Sequence, residues 1–414
     1  MNIYFSGIGG VGIGPLAEIA LDAGYGVFGS DVSQSLMTDQ LEKRGVTISL
    51  FQDGQSLEAL HSESSIDRLV YTAALPDDHP ELIMAKKLGI RSCKRDELLA
   101  EIIAEKKLKL IAISGTHGKT TTTGMMIWAL QQLGVPISYS VGASLSFGPS
   151  GKFDPESQYF VYECDEFDRN MLHFTPWLSV LTSLSYDHID TYKTEADYTT
   201  AFREFIAQSN QTILWQNDSD YVQNAAESCW VLQADEQVAF TLAGEHNRRN
   251  ATLILKALEY LDFDGIQDYQ KVIDTFPGTF RRFEKIAENL YSDYGHHPNE
   301  IAATLQMASE YSKDIVLVYQ PHQNVRQHEV KDLYTADVFT HAKKVYWLPT
   351  YQSREHPELE LLLPEQLSQN VSDKTTVAEL DDALWRSIQA ERSVDNLVLC
   401  MGAGSIDQWI RKYI

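Results

Sequence analysis

Over residues 1 to about 107, short apolar runs alternate with amphipathic stretches. "NIYFS", "YGVFGS", "GVTISL", "DRLVYTAA" and "GIRSC" read as strands. "PLAEIALDAG", "LMTDQLEKRG" and "PELIMAKKLG" read as the helices between them, each closed by a glycine suited to a helix C-terminus. This alternation predicts a parallel sheet. A charged stretch, "EIIAEKKLK", ends the segment, which places a boundary near residue 107. Residues 108–276 offer strands at "LIAIS", "YFVYE", "LSVLT" and "TILWQ", with a loop rich in Gly, Pro and Ser at 142–157. Pro277 and Gly278, in "TFPGTFRRFE", break the chain again. Beyond them "LYSDYG", "DIVLVYQ", "KKVYWLP" and "NLVLCMG" mark a third α/β unit, so the expected domains are 1–107, 108–276 and 277–414.

Charge narrows the partners. Against 58 Asp and Glu stand 34 Lys and Arg, a net charge of −24. Such a surface repels nucleic acid and anionic lipid, so a phosphate ligand must be held by local devices. No apolar run approaches the roughly 18 residues of a membrane span, and no signal-peptide pattern opens the chain. Cys93, Cys164, Cys229 and Cys400 have no C-x-x-C spacing, which argues against a zinc site or a disulfide framework and for a reduced cytoplasm.

Two glycine loops carry the candidate chemistry. In "GIGGVG", Gly7, Gly9 and Gly12 fit G-x-G-x-x-G, Gly10 lies among them, and Ser30 and Asp31 end the next apolar run. The pattern describes a diphosphate cradle at a helix N-terminus, and by itself suits a nicotinamide enzyme. The second loop, "LIAISGTHGKTTTTGMMIWALQQLG", is a strand, a glycine turn and a helix. Lys119 suits the β- and γ-phosphate charge and Thr120 suits Mg²⁺, although Ile113 stands where a strict phosphate loop has its first glycine. Four consecutive threonines are poor helix formers, which favours a ligand role for this turn.

"GTHGKTTTT" resembles the ATP loop of the Mur ligases, ATP-dependent amide-forming enzymes of peptidoglycan precursor synthesis. "GIGGVGIG", "YECDEFD", "YDHIDTY", "GEHNRRNA", "RRFE", "SDYGHHPNE", "QPH" and "GAGSI" follow the family's order over nearly the whole chain. The resemblance implies three α/β domains: an N-terminal Rossmann-like UDP-binding domain, a central phosphate-loop ATPase-type domain and a C-terminal Rossmann-like domain. It implies a reaction in which ATP activates the lactyl carboxylate of UDP-N-acetylmuramate as an acyl phosphate and an amino acid, L-alanine, attacks it. It also places the chain in cell-wall biogenesis, and so in cell shape and division, and its cofactors as ATP and Mg²⁺, with Mn²⁺ as a substitute.

Residue by residue, the resemblance assigns Gly115, Thr116, His117, Gly118, Lys119, Thr120 and Thr121 to the nucleotide. Thr120, Glu163 and His188 would hold metal, with Asp165, Glu166 and Asp168 crowded beside Glu163. Asn247 and Asn250, three apart on one helical face, would grip adenine or phosphate. Arg282 would reach the ATP phosphates, Asp293 would meet the ribose or orient a closed state, and Arg281 would be a solvated neighbour. Gly7 to Gly12, Ser30 and Asp31 would hold the UDP-sugar; Tyr294, His296, His322 and Arg326 would hold the amino acid. There the chain departs from the family pattern. Gln323 replaces an arginine, and a neutral amide cannot supply the bidentate grip of a guanidinium.

Three other readings compete. A Mur-type ligase for another amino acid or a peptide is kept open by Gln323. A nicotinamide oxidoreductase leaves Lys119 and Glu163 without purpose, and a silent UDP-sugar-binding protein does not need them. The expected state is a monomer or weak homodimer.

Overall fold

The computed structural model describes residues 1–10, 12–72, 75–188, 191–223, 228–263, 268–353, 355, 358–394 and 396–414. Val11 of the first glycine loop, Ala73 and Ala74 of "DRLVYTAA", and Ile189 and Asp190 of "YDHIDTY" lie outside the described residues.

Strands form where buried apolar runs were read, and they assemble into three sheets. In the first, β1 (Asn2–Ser6), β2 (Gly26–Ser30), β3 (Thr47–Ser49), β4 (Arg68–Tyr71) and β5 (Arg91–Lys94) lie in the order β3-β2-β1-β4-β5, all parallel. The order reverses at β1, so the glycine loop leaving β1 opens into the crevice where such sheets take ligands. Helices Gly14–Asp22, Leu36–Lys43 and Pro80–Leu88 stand where expected. Gly24, Gly45 and Gly89 follow them with φ of +87°, +88° and +72°, the left-handed stop that glycine makes cheaply. Helices Gln55–Ser64 and Arg95–Glu105 were not anticipated. The second covers much of the charged "EIIAEKKLK" stretch: it buries Leu98, Leu99, Ile102 and Ile103 together with Asp96, and leaves Glu101 and Glu105 less buried.

The second sheet contains β6 (Lys109–Ser114), β7 (Ile137–Ser140), β8 (Gly151–Lys152), β9 (Tyr159–Glu163), β10 (Leu178–Leu181), β11 (Thr212–Trp215) and β12 (Cys229–Leu232). Their order is β12-β11-β10-β6-β9-β7-β8, parallel except for the β7–β8 pair. With β6 between β9 and β10, the loop leaving β6 meets the carboxyl ends of both. The short edge strand β8 forms inside the stretch read as loop, and it touches the first sheet's helix Gly14–Asp22. A Cβ on Gly151 would lie 2.4 Å from the Pro15 carbonyl oxygen, so glycine allows this approach. Phe5, Ile19 and Ile102 consequently share one buried cluster with Phe160, Tyr162 and Phe202.

The third sheet holds β13 (Glu284–Ala287), β14 (Leu290–Asp293), β15 (Ile315–Tyr319), β16 (Ala342–Trp347), β17 (Thr375–Val377) and β18 (Leu397–Met401). The order is β13-β14-β18-β15-β16-β17, with β13–β14 an antiparallel hairpin and the remainder parallel. By contacts the chain forms two compact bodies: residues 1–237 with 250–276, and 238–249 with 277–414. Among the described residues no helix is long and apolar enough to cross a membrane.

Candidate active site

The second glycine loop joins β6 to helix Lys119–Gln132. Ile113 is a fully buried residue of β6, paired with both Glu163 and Val180, so the core holds that position. The bend is made later, by Gly115 at φ +131° and Gly118 at φ +85°. A Cβ on Gly115 would lie 2.5 Å from Thr182 Oγ1 and 2.9 Å from the Ser183 carbonyl oxygen. Thr116 is spent on the fold: its hydroxyl donates to the Ser185 carbonyl (2.9 Å), accepts from Ser185 N–H (2.9 Å) and meets Tyr198 Oη at 2.6 Å. The carbonyl of His117 accepts from the hydroxyls of Thr182 and Ser183, which pins the turn to the end of β10. Thr122 donates to the Gly118 carbonyl at 2.8 Å. Thr121 is half-buried on the first turn of the helix.

Thr120 Oγ1 donates to Glu163 Oε1 at 2.7 Å, and Glu163 Oε2 accepts the Gly142 N–H at 2.6 Å. Glu163 ends β9, as the sequence suggested. Lys119 Nζ lies 2.6 Å from Glu166 Oε2 and donates to the Gly115 carbonyl at 2.6 Å. Burial alone would depress this lysine; the charges of Glu166, Asp165 and Glu163 hold it above its ordinary range. His188 rests its Nε2 3.3 Å from Glu166 Oε1, so the structure places this imidazole on Glu166. Ligand atoms of Asp165, Glu166 and His188 fall within 4.8 Å of one another. Asp168 pairs with Lys94 of β5 at 2.5 Å, tying the acidic segment to the first sheet.

In the first loop, Gly7 turns at φ +77°, and its N–H and that of Ile8 donate to the Ser30 carbonyl at 2.8 and 2.9 Å. Gly10 N–H donates to the Gly7 carbonyl. The Ser30 hydroxyl accepts from Gln52 Nε2 at 3.2 Å. Asp31 turns back on the loop, accepting Gly9 N–H at 2.8 Å and Val32 N–H at 2.7 Å. A Cβ on Gly12 would lie 2.8 Å from Arg95 Nη1. This arginine, which sequence reading missed, lines a single cleft with Gly12, Lys119, Tyr162, Glu163 and Asp165. Its neighbour Asp96 accepts the Tyr162 hydroxyl at 2.5 Å, which locks the start of helix Arg95–Glu105 to β9. Nothing local announced it, because Arg95 shares a cleft with Lys119 only through the packing of one sheet on the other.

In the second body, Asp293 ends β14, buried, and accepts Phe283 N–H at 2.8 Å and Gly295 N–H at 2.7 Å. Burial pushes its carboxyl up to about 6 despite Arg282 and these two donors. Arg282 lies 3.8 Å from Glu300 and over the Tyr294 ring. Arg281, read as solvated, instead donates to the Gly402 carbonyl (3.1 Å), lies 3.5 Å from Asp407 and covers Tyr294. Tyr294, His296, His322 and Arg326 do gather. The Tyr294 and His322 rings lie 5.9 and 5.7 Å from that of His296, and Arg326 Nη1 lies 3.2 Å from His296 Nε2. Tyr351, unanticipated, stacks on His322 at 5.7 Å. Gln323 sits at φ +60°, its N–H donating to the Tyr351 carbonyl at 2.8 Å. Asn247 and Asn250 share helix Glu245–Leu261 but belong to different bodies. The buried Asn250 amide lies 2.8 Å from where a Gly118 Cβ would be, whereas Asn247 donates to the Ala243 carbonyl at 2.9 Å.

A lysine and a threonine opening a helix beside a strand-end carboxylate belong to the phosphate-loop α/β proteins. Comparison with known proteins carries this further. Residues 2–107 match the Mur ligase family, catalytic domain; 113–257 match the Mur ligase middle domain; 281–404 match the Mur ligase, glutamate ligase domain. A UDP-N-acetylmuramate–L-alanine ligase of Acetivibrio thermocellus is 30% identical over 98% of this chain and 94% of its own. That of Carboxydothermus hydrogenoformans is 29% identical over 99% and 95%. The chain belongs to the Mur ligase family. Its fold is shared with UDP-N-acetylmuramate-alanine ligase MurC of Thermotoga maritima, TM-score 0.77 at 22% identity, covering 100% of this chain and 98% of that one. A murein peptide ligase of Psychrobacter arcticus aligns with TM-score 0.65 at 22% identity and the same coverage.

Proposed function

We propose that the chain is an ATP-dependent ligase that joins L-alanine to the lactyl carboxylate of UDP-N-acetylmuramate, releasing ADP and phosphate, in peptidoglycan precursor synthesis. One observation carries the proposal: Gly12 of the first glycine loop and Lys119 of the second line the same cleft, which Arg95 lines as well. A sugar diphosphate on one loop can thereby bring its carboxylate to the terminal phosphate of a nucleotide on the other. Residues 1–107, 108–276 and 277–414 are read as the UDP-sugar, ATP and amino-acid domains.

A carboxylate is a poor electrophile, so its oxygen first takes the γ-phosphoryl group, and ADP departs. The amine then adds to the acyl carbon, loses its proton and expels phosphate. Both steps gather negative charge, which Lys119, Arg95 and Arg282 would offset. The oxygens of Thr120 and Glu163 form a hard donor pair suited to Mg²⁺, which would neutralise the β- and γ-phosphates when bound. His188, with Asp165 and Glu166 beside it, would hold a second ion and accommodates Mn²⁺. Asn250, against the phosphate loop, would contact nucleotide, and Asp293 with Arg282 would do so from the third domain.

The amine site would be Tyr294, His296, His322 and Arg326. Gln323 supports a second reading, in which another amino acid or a peptide is the preferred amine. The net charge of −24 and four scattered cysteines with no C-x-x-C spacing support a cytoplasmic protein without nucleic-acid or membrane partners, a monomer or weak homodimer. The acyl-phosphate step is tested with UDP-N-acetylmuramate carrying heavy oxygen in its carboxylate. One labelled oxygen is expected in each released phosphate, and phosphate free of label refutes the mechanism. Lys119→Ala is expected to lower turnover at least about a hundredfold.

A further inference from the structure

Glu166 is a fully buried carboxylate with a cation or imidazole on each oxygen: Lys119 Nζ at 2.6 Å on Oε2 and His188 Nε2 at 3.3 Å on Oε1. Its backbone is fixed as firmly as its side chain. The Glu166 carbonyl accepts the hydroxyl of the buried Tyr192 at 2.6 Å. Asp168 and Arg169 just after it, and His188 opposite, hold φ of +53°, +56° and +60°. Each such residue costs about 1–3 kcal/mol and persists only where its surroundings impose it, and non-glycine strain of this kind gathers at functional sites. Lys119 Nζ is held on Glu166 and on the Gly115 and Thr116 carbonyls of its own loop.

We infer that Glu166 is a positioning residue that competes with the nucleotide for Lys119: it parks the lysine while the site is empty and yields it to the phosphates on binding. Glu166 then remains with His188 and holds that imidazole beside the reacting groups. This inference rests on the reading of Lys119 as a nucleotide residue. A purely structural Glu166 would stabilise the fold, and its loss would weaken binding or leave it unchanged. A competing Glu166 predicts the opposite sign. Neutralising it removes the partner of Lys119 only in the empty site, so the lysine no longer has to leave a carboxylate when nucleotide binds.

The experiment is calorimetric titration of MgADP into the wild type, Glu166→Gln, Lys119→Ala and the double variant, with thermal unfolding to establish that each is folded. Glu166→Gln is expected to bind MgADP about tenfold more tightly, the scale of one charge-assisted hydrogen bond exchanged. Its ligase kcat is expected to fall about tenfold or more while the KM for ATP drops. In the Lys119→Ala background the same change should leave affinity within about twofold. Unchanged or weaker binding by Glu166→Gln overturns the inference, as does equal tightening without Lys119. If Glu166→Gln does not fold, Glu166→Asp, one methylene too short to span both partners, takes its place with the same expected direction. A wild type that binds no MgADP overturns the nucleotide reading itself, and that failure is distinct from the others.

Discussion

Asp293 shows what burial does to a single carboxyl group. Its native value of about 6 lies above the ordinary 3.8, so the folded chain binds this proton more tightly than the unfolded one. The resulting stabilisation is whole below about pH 4 and is lost as pH rises through 6, a change on the order of 3 kcal/mol. Asp293→Asn is expected to remove that fall between pH 4 and 6, while costing about 1–2 kcal/mol because one N–H donor loses its acceptor. Urea unfolding across that range, compared with the wild type, measures both. Gln323→Arg addresses the amine site. If the amino-acid carboxylate lies there, a restored guanidinium lowers the KM for L-alanine about tenfold; an unchanged KM places the carboxylate elsewhere. Lys119, Thr120 and Glu163 were legible because loop chemistry and strand position name them. Arg95 and the parking of Lys119 on Glu166 were not, since both depend on partners that only tertiary packing supplies.

At the scale of elements, the phosphate turn depends on glycine at one place above all. Gly115→Ala combines φ +131° with a Cβ 2.9 Å from a backbone oxygen, so a destabilisation of at least about 2 kcal/mol and loss of MgADP binding are expected. Equal unfolding midpoints in the wild type and the variant would show that the turn relaxes freely. Strands such as β6, β9, β15 and β18 were plain in the sequence because buried parallel strands are uninterrupted apolar runs. Helix Arg95–Glu105 was hidden, as its charged face dominates the local composition while its apolar face appears only at helical spacing. Strand β8 is two residues long and carries no signal of its own; it exists because Gly151 fits against Pro15.

Across the whole molecule, three sheets make two compact bodies, the first two sheets being joined by one continuous core. Segment composition reveals the number of sheets, but which of them share a core depends on contacts far apart in sequence. The two glycine loops thus belong to one body and line a single cleft, which under the proposed function would serve both substrates. That arrangement is the basis for assigning a ligase. The most direct test is to incubate the purified protein with ATP, UDP-N-acetylmuramate and a panel of single amino acids and peptides, measuring phosphate and the mass of the nucleotide-sugar. Phosphate is expected only when both partners are present, with UDP-N-acetylmuramate gaining one alanyl residue fastest. Phosphate release without any amide product, or no release with any amine, would contradict the ligase assignment.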